Sequence, residues 1–206
     1  MQLQIIKTRY RQLHVLINNA GVFLPKREVT EDDIEKTFAT NYLGHFLLTH
    51  LLLDMLKSSA PSRIVNVASR HSGIKINFDD LMVEKTYSVL RAVGPTKHGL
   101  VMFTKELKTK LEGTGVTVNS LHPGLVRTTL LKDMSIMMKF IFKLIPHVTP
   151  EKGAATSSYL ASSPEVENVN GKFFSNKKET AASAGANDPV MNKKIYDLSL
   201  KLAGLS

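Results

Sequence analysis

The sequence predicts an α/β fold built on a doubly wound parallel sheet. Short runs of β-branched residues alternate with longer segments of helical periodicity, and this alternation is typical of parallel strands joined by helical crossovers. With 206 residues, 43% of them hydrophobic, the chain has the size and composition of one globular domain. It shows no internal repeat, low-complexity segment or linker, so we predict a single domain over residues 1–206.

Four segments are predicted to form the strands. Each is short and apolar and runs directly into turn residues such as asparagine, serine, proline or glycine, as expected of buried strands. In chain order the predicted strands are HVLINNAG at residues 14–21, SRIVNVAS at 62–69, VTVNSLHPG at 116–124 and GKFFSN at 171–176.

Two long helices are predicted between these strands. The first has Thr30 as its N-cap, acidic residues in its first turn, and apolar residues at helical spacing as far as Leu56. The second is predicted to carry Pro95 in its first turn and to close at Gly113. Because a proline restricts the residue before it, this assignment also predicts an extended backbone at Gly94.

Three further segments complete the pattern. Residues 70–89 show no clear periodicity and are predicted to be an irregular connection, whereas residues 150–162 are predicted to be a helix. Residues 134–148 place Lys139 and Lys143 four apart among apolar residues. Such a helix could cover a pocket, rest on a membrane surface or be partly buried. No segment reaches the ~20 apolar residues that span a bilayer, and the N-terminus does not read as a signal peptide.

Composition excludes several kinds of site. The chain has no cysteine, so it cannot hold a disulfide or a thiolate-bound metal, and a reducing intracellular compartment is the expected location. Its net charge of +9 comes from scattered basic residues, and tryptophan is absent, which argues against a nucleic-acid surface. The histidines show no spacing typical of metal ligands, so we predict no metal site; they include His45, His50, His71 and His98.

Polar and small residues follow three of the predicted strands directly. NNAG ends the first strand, Ser69 the second, and Pro123 and Gly124 the third. Ligands of open parallel sheets bind at the carboxyl ends of the strands. We therefore predict that a nucleotide and a substrate meet at this edge of the sheet.

These motifs resemble the short-chain dehydrogenase/reductase family in order and spacing. The resemblance rests on NNAG at Asn18 to Gly21, Asn41 in TNYLGHFLLT, Ser69 after IVNVA, and HPGLVRT at His122 to Thr128. The stretch FTKELKTKLEGTGVTVNSLHPGLVRTTL is similar to the retinol dehydrogenase-like branch. This resemblance implies a Rossmann-like domain and NADP(H)-dependent, or alternatively NAD(H)-dependent, oxidation and reduction of retinoids or other lipid-derived alcohols and aldehydes.

The resemblance also implies the site residues. Ser69 would hold the developing oxyanion, Lys97 would lower the pKa of a catalytic tyrosine and contact the nicotinamide ribose, and Asn41 would hold a water on the proton path. The tyrosine position is Val93, which has no exchangeable proton. The implied cofactor-binding residues are Asn18, Ala20, Gly21, Lys97, Pro123, Gly124, Val126 and Thr128.

Two departures from the family lower the expected activity. Val93 replaces the proton donor, and Tyr87, with Arg91 four residues later, is considered as a substitute because an arginine can lower a phenol pKa. The sequence also contains no strand and glycine-rich turn of the dinucleotide-binding type. We therefore expect an amino-terminally truncated domain with weak cofactor binding and feeble or no turnover.

The alternative function is a catalytically inactive dehydrogenase-like protein that acts through protein partners. The partner could bind the open edge of the first predicted strand or the helix around Phe140. The resemblance further allows a homodimer through the helices that carry Asn41 and Lys97, and a location either in the cytoplasm or on an endoplasmic reticulum or mitochondrial membrane.

Overall fold

The computed structural model describes residues 2–70, 76–126 and 147–205. Their sheet has five strands in the spatial order of the sequence. The first four strands are parallel, and the fifth is antiparallel to the fourth. This confirms the predicted α/β class and all four predicted strands. The strands are β1 Val15–Asn18, β2 Ser62–Val67, β3 Val116–His122, β4 Phe173–Ser175 and β5 Lys178–Thr180.

The fifth strand was not predicted. It forms a hairpin with β4 through Asn176 and Lys177, which both have positive φ (51° and 62°). Tight hairpins favour this left-handed turn geometry, and asparagine adopts it more readily than most residues. β5 is only three residues long and mostly exposed, so it lacks the apolar run by which the other strands were found.

Helices flank the sheet on both faces. α2 and α3 are joined by a π-helical turn, Ala39–Leu43, so the chain is helical from Lys36 to Ser58. No described helix is long and apolar enough to cross a membrane. The α-helices are α1 Gln2–Arg9, α2 Lys36–Phe38, α3 Gly44–Ser58, α4 Val89–Lys110, α5 Pro150–Ser162 and α6 Pro189–Leu202. Short 3-10 turns occur at Phe78–Asp80, Pro164–Val166 and Ala184–Asn187.

The predicted start of the first long helix was wrong. Glu35, not Thr30, is the N-cap: its carboxylate oxygens accept hydrogen bonds from the backbone N–H groups of Thr37 (3.0 Å) and Phe38 (2.7 Å). Glu35 is fully buried, and a carboxylate at this end is stabilised by the helix dipole. Glutamate is not among the preferred N-cap residues, which is why the sequence pattern favoured Thr30.

The predicted start of the second long helix was also wrong. α4 begins at Val89, where the Ser88 hydroxyl accepts a hydrogen bond from the N–H of Arg91 (3.3 Å). Pro95 lies inside the helix and Gly94 is helical rather than extended. A proline inside a helix costs about 3 kcal/mol, so the cap and the burial of one face of α4 must offset that cost.

α6, which was not predicted, packs on α3 and α4. The Ser199 hydroxyl donates to the Tyr42 hydroxyl (2.9 Å), and the Tyr196 hydroxyl and His50 Nε2 are 2.7 Å apart. The Tyr196 ring stands 5.2 Å from that of Phe46, centroid to centroid. This aromatic cluster belongs to the larger hydrophobic core, which lies between the sheet and these three helices. A smaller hydrophobic core lies between α5 and the opposite face of the sheet.

Buried side-chain amides connect the sheet to both long helices. Asn18 Nδ2, on β1, donates to Asn66 Oδ1 on β2 (2.8 Å) and to the Thr49 hydroxyl on α3 (2.9 Å). Asn66 Nδ2 donates in turn to the Thr104 hydroxyl on α4 (2.9 Å). Each threonine hydroxyl donates to a carbonyl of its own helix, which leaves its lone pairs directed at the amide. All four side chains are at most 1% exposed.

We expect Asn66→Ala to lower the free energy of unfolding by about 2–4 kcal/mol, because it removes the acceptor of a buried Asn18 N–H and the donor to the buried Thr104 hydroxyl oxygen. Urea unfolding at neutral pH measures the change. Thr109→Ala is the matched control, since its exposed hydroxyl binds only its own helix; we expect a change within about 0.5 kcal/mol. Equal effects of the two substitutions would contradict this role for the amides.

Candidate active site

Three of the predicted site segments lie at the carboxyl edge of the sheet. β1 ends at Asn18 and leads to Ala20 and Gly21, and β2 ends at Val67 and leads to Ser69. β3 ends at His122 and leads to the Pro123–Gly124 turn. Because the three strands are parallel neighbours, these segments leave the sheet side by side, as expected for a ligand site of this fold.

Asn41 fixes the loop that follows β1. It lies in the π-helical turn and is fully buried. Its Oδ1 accepts a hydrogen bond from the backbone N–H of Val22 (2.7 Å), and its Nδ2 donates to the carbonyl of Val22 (2.9 Å). π-helical turns are rare in proteins overall, but those that occur are often found at functional sites. The side chain of Asn41 is thus engaged by the loop, so its predicted role in holding a water would use the backbone carbonyl.

Lys97 reaches from α4 to the end of β2. Its ammonium donates a hydrogen bond to the carbonyl oxygen of Val67 (2.8 Å), two residues before Ser69. Burial lowers the pKa of Lys97 to about 8. The structure therefore brings Lys97 and Ser69 to the same strand end, as the resemblance implies.

Val93 occupies the position of the expected proton donor. It is buried and precedes Lys97 by one turn within the continuous helix α4, so the two side chains lie on one helix face. Its carbonyl accepts a hydrogen bond from the Thr96 hydroxyl (2.7 Å). The backbone at this position is regular helix, so the expected proton donor is missing because of the side chain alone.

Tyr87 is not positioned to replace the missing proton donor. Its hydroxyl donates to the carbonyl of Leu24 (2.9 Å), and burial raises its pKa. Arg91 pairs instead with Asp80, at 3.9 Å. The hypothesis that Arg91 lowers the pKa of Tyr87 is therefore wrong.

The remaining candidates divide into three groups. The side chain of Asn18 points into the buried amide arrangement, so any cofactor contact there would come from its backbone. Gly124 has φ of 84° and lies against Val148, which pairs as an isolated bridge with Val126. Thr128 lies outside the described residues, as do His71, Phe140 and both lysines of the 134–148 segment.

Sequence reasoning named His45 only among the histidines without metal-ligand spacing and gave it no role at the site. It is 4% exposed, and neither ring nitrogen has a hydrogen-bond partner among the described residues. Burial and, secondly, the charge of Lys97 lower the pKa of His45 to about 4, while the backbone of Asn41 acts in the opposite direction. Its spacing of four residues from Asn41 was the available signal.

The lowered pKa of Lys97 has a consequence for stability. The folded chain binds this proton less tightly than the unfolded chain, whose lysine keeps the ordinary value of 10.5. The penalty is present at neutral pH and is relieved as pH rises from about 8 to 10.5. We therefore expect the free energy of unfolding to rise over this range relative to that of Lys97→Met, as measured by urea unfolding at several pH values.

Lys152→Met provides the comparison, because Lys152 is exposed at the start of α5. The difference in free energy of unfolding between the protein and Lys152→Met should stay constant over the same pH range. A level difference for Lys97→Met as well would mean that Lys97 is not desolvated.

Comparison with known proteins agrees with this geometry. Retinol dehydrogenase 14 of Homo sapiens is 48% identical over 200 residues, which cover 94% of this chain and 60% of that protein. Retinol dehydrogenase 13 of Mus musculus is 42% identical over 213 residues, which cover 98% of this chain and 63% of that protein. The chain thus spans about 60% of the length of these curated relatives.

Solved structures show the same fold. A putative uncharacterized protein from Mycobacterium Paratuberculosis has a TM-score of 0.76 and 28% identity, covering 98% of this chain and 71% of its own. A short chain dehydrogenase from Burkholderia cenocepacia J2315 in complex with NADP has a TM-score of 0.63 and 21% identity, covering 91% and 71%. The family model for short chain dehydrogenase matches residues 2–139. With Lys97 and Ser69 at one strand end, these matches establish that the chain belongs to the short chain dehydrogenase family.

Proposed function

We propose that the chain carries the substrate and nicotinamide side of a retinol dehydrogenase-like oxidoreductase, with turnover that is feeble or lost. The reaction is NADP(H)-dependent interconversion of retinoid or other lipid-derived alcohols and aldehydes. The single observation that carries the proposal is the placement of Lys97 at the end of β2, close to Ser69 in the chain, with Val93 one turn earlier. The names of the relatives support the branch.

The proposed roles follow from the charge that hydride transfer develops. A carbonyl that accepts hydride gains negative charge on its oxygen, and the Ser69 hydroxyl would donate a hydrogen bond to it. A proton must then reach that oxygen. Val93 cannot supply it, so the nearest protonated group of the family's site is the ammonium of Lys97. We expect this route to be slow, because the ammonium is held on the Val67 carbonyl.

The chain fits part of a nicotinamide dinucleotide. An ammonium has three donors, so Lys97 can bind Val67 and still reach ribose hydroxyls. The turn at Gly124 would face the carboxamide, and the Ala20–Gly21 loop would lie nearby, held by Asn41 through Val22. When bound, the dinucleotide supplies the hydride. The 206 residues contain no G-x-G-x-x-G turn, so we expect weak binding and propose NADP(H) over NAD(H) on the likeness to the branch alone.

A second candidate function is an inactive dehydrogenase-like protein that binds a protein partner. Val93 favours it, because the side chain removes the proton donor without disturbing α4. Ile17 of β1 is 42% exposed, and β1 has a neighbour on only one side among the described strands. We also propose a homodimer or a peripheral membrane contact, and an intracellular location in the cytoplasm or on a membrane. α6 already covers part of α3 and α4, so a dimer through that part would require α6 to move.

A four-way comparison tests the proposed function. The chain and Val93→Tyr are each assayed alone and fused behind the strand, glycine-rich turn and helix of a relative. We expect measurable aldehyde reduction with NADPH only where the fusion and Val93→Tyr are combined, at least about 100-fold above the fused parent, which is the usual contribution of general acid catalysis. Steady-state NADPH consumption with an aliphatic aldehyde or a retinal provides the measurement.

Val93→Phe in the same fusion is the matched control, because it supplies the ring without the hydroxyl. It should remain at the level of the fused parent. Restored turnover in Val93→Tyr without the fusion would contradict the claim that these residues hold only part of the dinucleotide. Equal turnover of Val93→Phe and Val93→Tyr would contradict the assigned proton donor position.

A further inference from the structure

His45 is a buried titratable group that the proposed mechanism does not use. It sits on α3, four residues after Asn41, and its ring is 4% exposed. Nearly all buried polar atoms have a partner in protein or ordered water. Neither ring nitrogen has one among residues 2–70, 76–126 and 147–205, so the ring is prepared for a small polar ligand.

α4 passes closely over the helical turn that carries Asn41. A Cβ added at Gly99 would lie 3.0 Å from two ring carbons of Tyr42, the residue after Asn41. Only a glycine permits this approach without movement of the ring. The contact places the turn of α4 that contains Lys97 next to the start of α3, the helix that carries His45.

We propose that His45 is a positioning residue for Lys97, acting through a buried water that lies between its imidazole and the Lys97 ammonium. In this arrangement the ammonium donates a hydrogen bond to the water, and the water donates to the unprotonated nitrogen of His45. The other ring nitrogen carries the proton of the neutral imidazole. The inference rests on the proposed function, because it assigns a role at the same site.

The charges around the ring support a neutral acceptor. Burial and, secondly, the charge of Lys97 lower the pKa of His45, because a nearby cation disfavours a second positive charge. A neutral imidazole has one donor and one acceptor nitrogen. Burial disfavours the ammonium of Lys97, and a water oriented by a lone pair of His45 would offset part of that cost.

NMR titration of Lys97 in the protein without dinucleotide tests the inference. The 13Cε and 15Nζ shifts of Lys97 would be followed against pH in the parent, His45→Leu and His45→Gln. We expect the pKa of Lys97 to fall by about one unit in His45→Leu, as loss of a hydrogen bond to a charged group implies. His45→Gln should recover most of the fall, since its amide oxygen can accept from water.

His50→Leu is the matched control. His50 also lies on α3, but its ring nitrogens contact the Phe46 carbonyl and the Tyr196 hydroxyl, so the pKa of Lys97 should not change. An unchanged pKa of Lys97 in His45→Leu would overturn the proposal, because it would mean that His45 only packs. A raised pKa of Lys97 would also overturn it, because it would mean that the ring of His45 is itself charged. Failure of the proposed function leaves this titration intact, since it measures no turnover.

A second measurement covers the case in which His45→Leu does not fold. In the parent protein, cross-relaxation between water and the ring protons of His45 should be detected, and the 15N shifts should report a neutral ring above pH 6. A neutral ring with no water contact, or a charged ring, would overturn the proposal.

Discussion

The buried amide pair of Asn18 and Asn66 is the interaction on which the arrangement of the site depends. It joins β1 to β2 and reaches Thr49 on α3 and Thr104 on α4. A polar group buried in a low dielectric is costly without a partner, so each amide restricts where the two helices can lie. The helices then carry Asn41 and Lys97 to the carboxyl edge of the sheet.

The chemistry of the site follows from that placement. Packing of α4 against the sheet desolvates Lys97 and directs its ammonium to the Val67 carbonyl. The same helix presents Val93 in regular geometry one turn earlier. The framework around the proton donor position is therefore intact, and the substitution changes a single functional group. Under the proposed function, this group is the main difference from an active site.

The sequence was sufficient for the four parallel strands, because each is an apolar run that ends in turn residues. It was also sufficient for the order of the site residues along the sheet edge, since parallel strands end together. Helix starts were harder to predict. Glu35 is an uncommon N-cap residue. Pro95 lies inside α4 because the helix already begins after its N-cap Ser88, and tertiary packing of the helix offsets the cost of the proline. The amide pair could not be predicted, because its hydrogen bonds join residues distant in sequence. The spacing of His45 from Asn41 is visible in the sequence, but the burial of its ring depends on tertiary packing.

Cofactor binding tests the central claim most directly, namely that Lys97 still belongs to a nicotinamide site although the proton donor is gone. We would titrate NADPH into the chain, Lys97→Met and Val93→Tyr by calorimetry, with thermal unfolding followed in the same samples. The account predicts weak binding that falls at least about 10-fold in Lys97→Met, the cost of one hydrogen bond from a charged group, and is unchanged in Val93→Tyr. Equal affinity of the chain and Lys97→Met would contradict it.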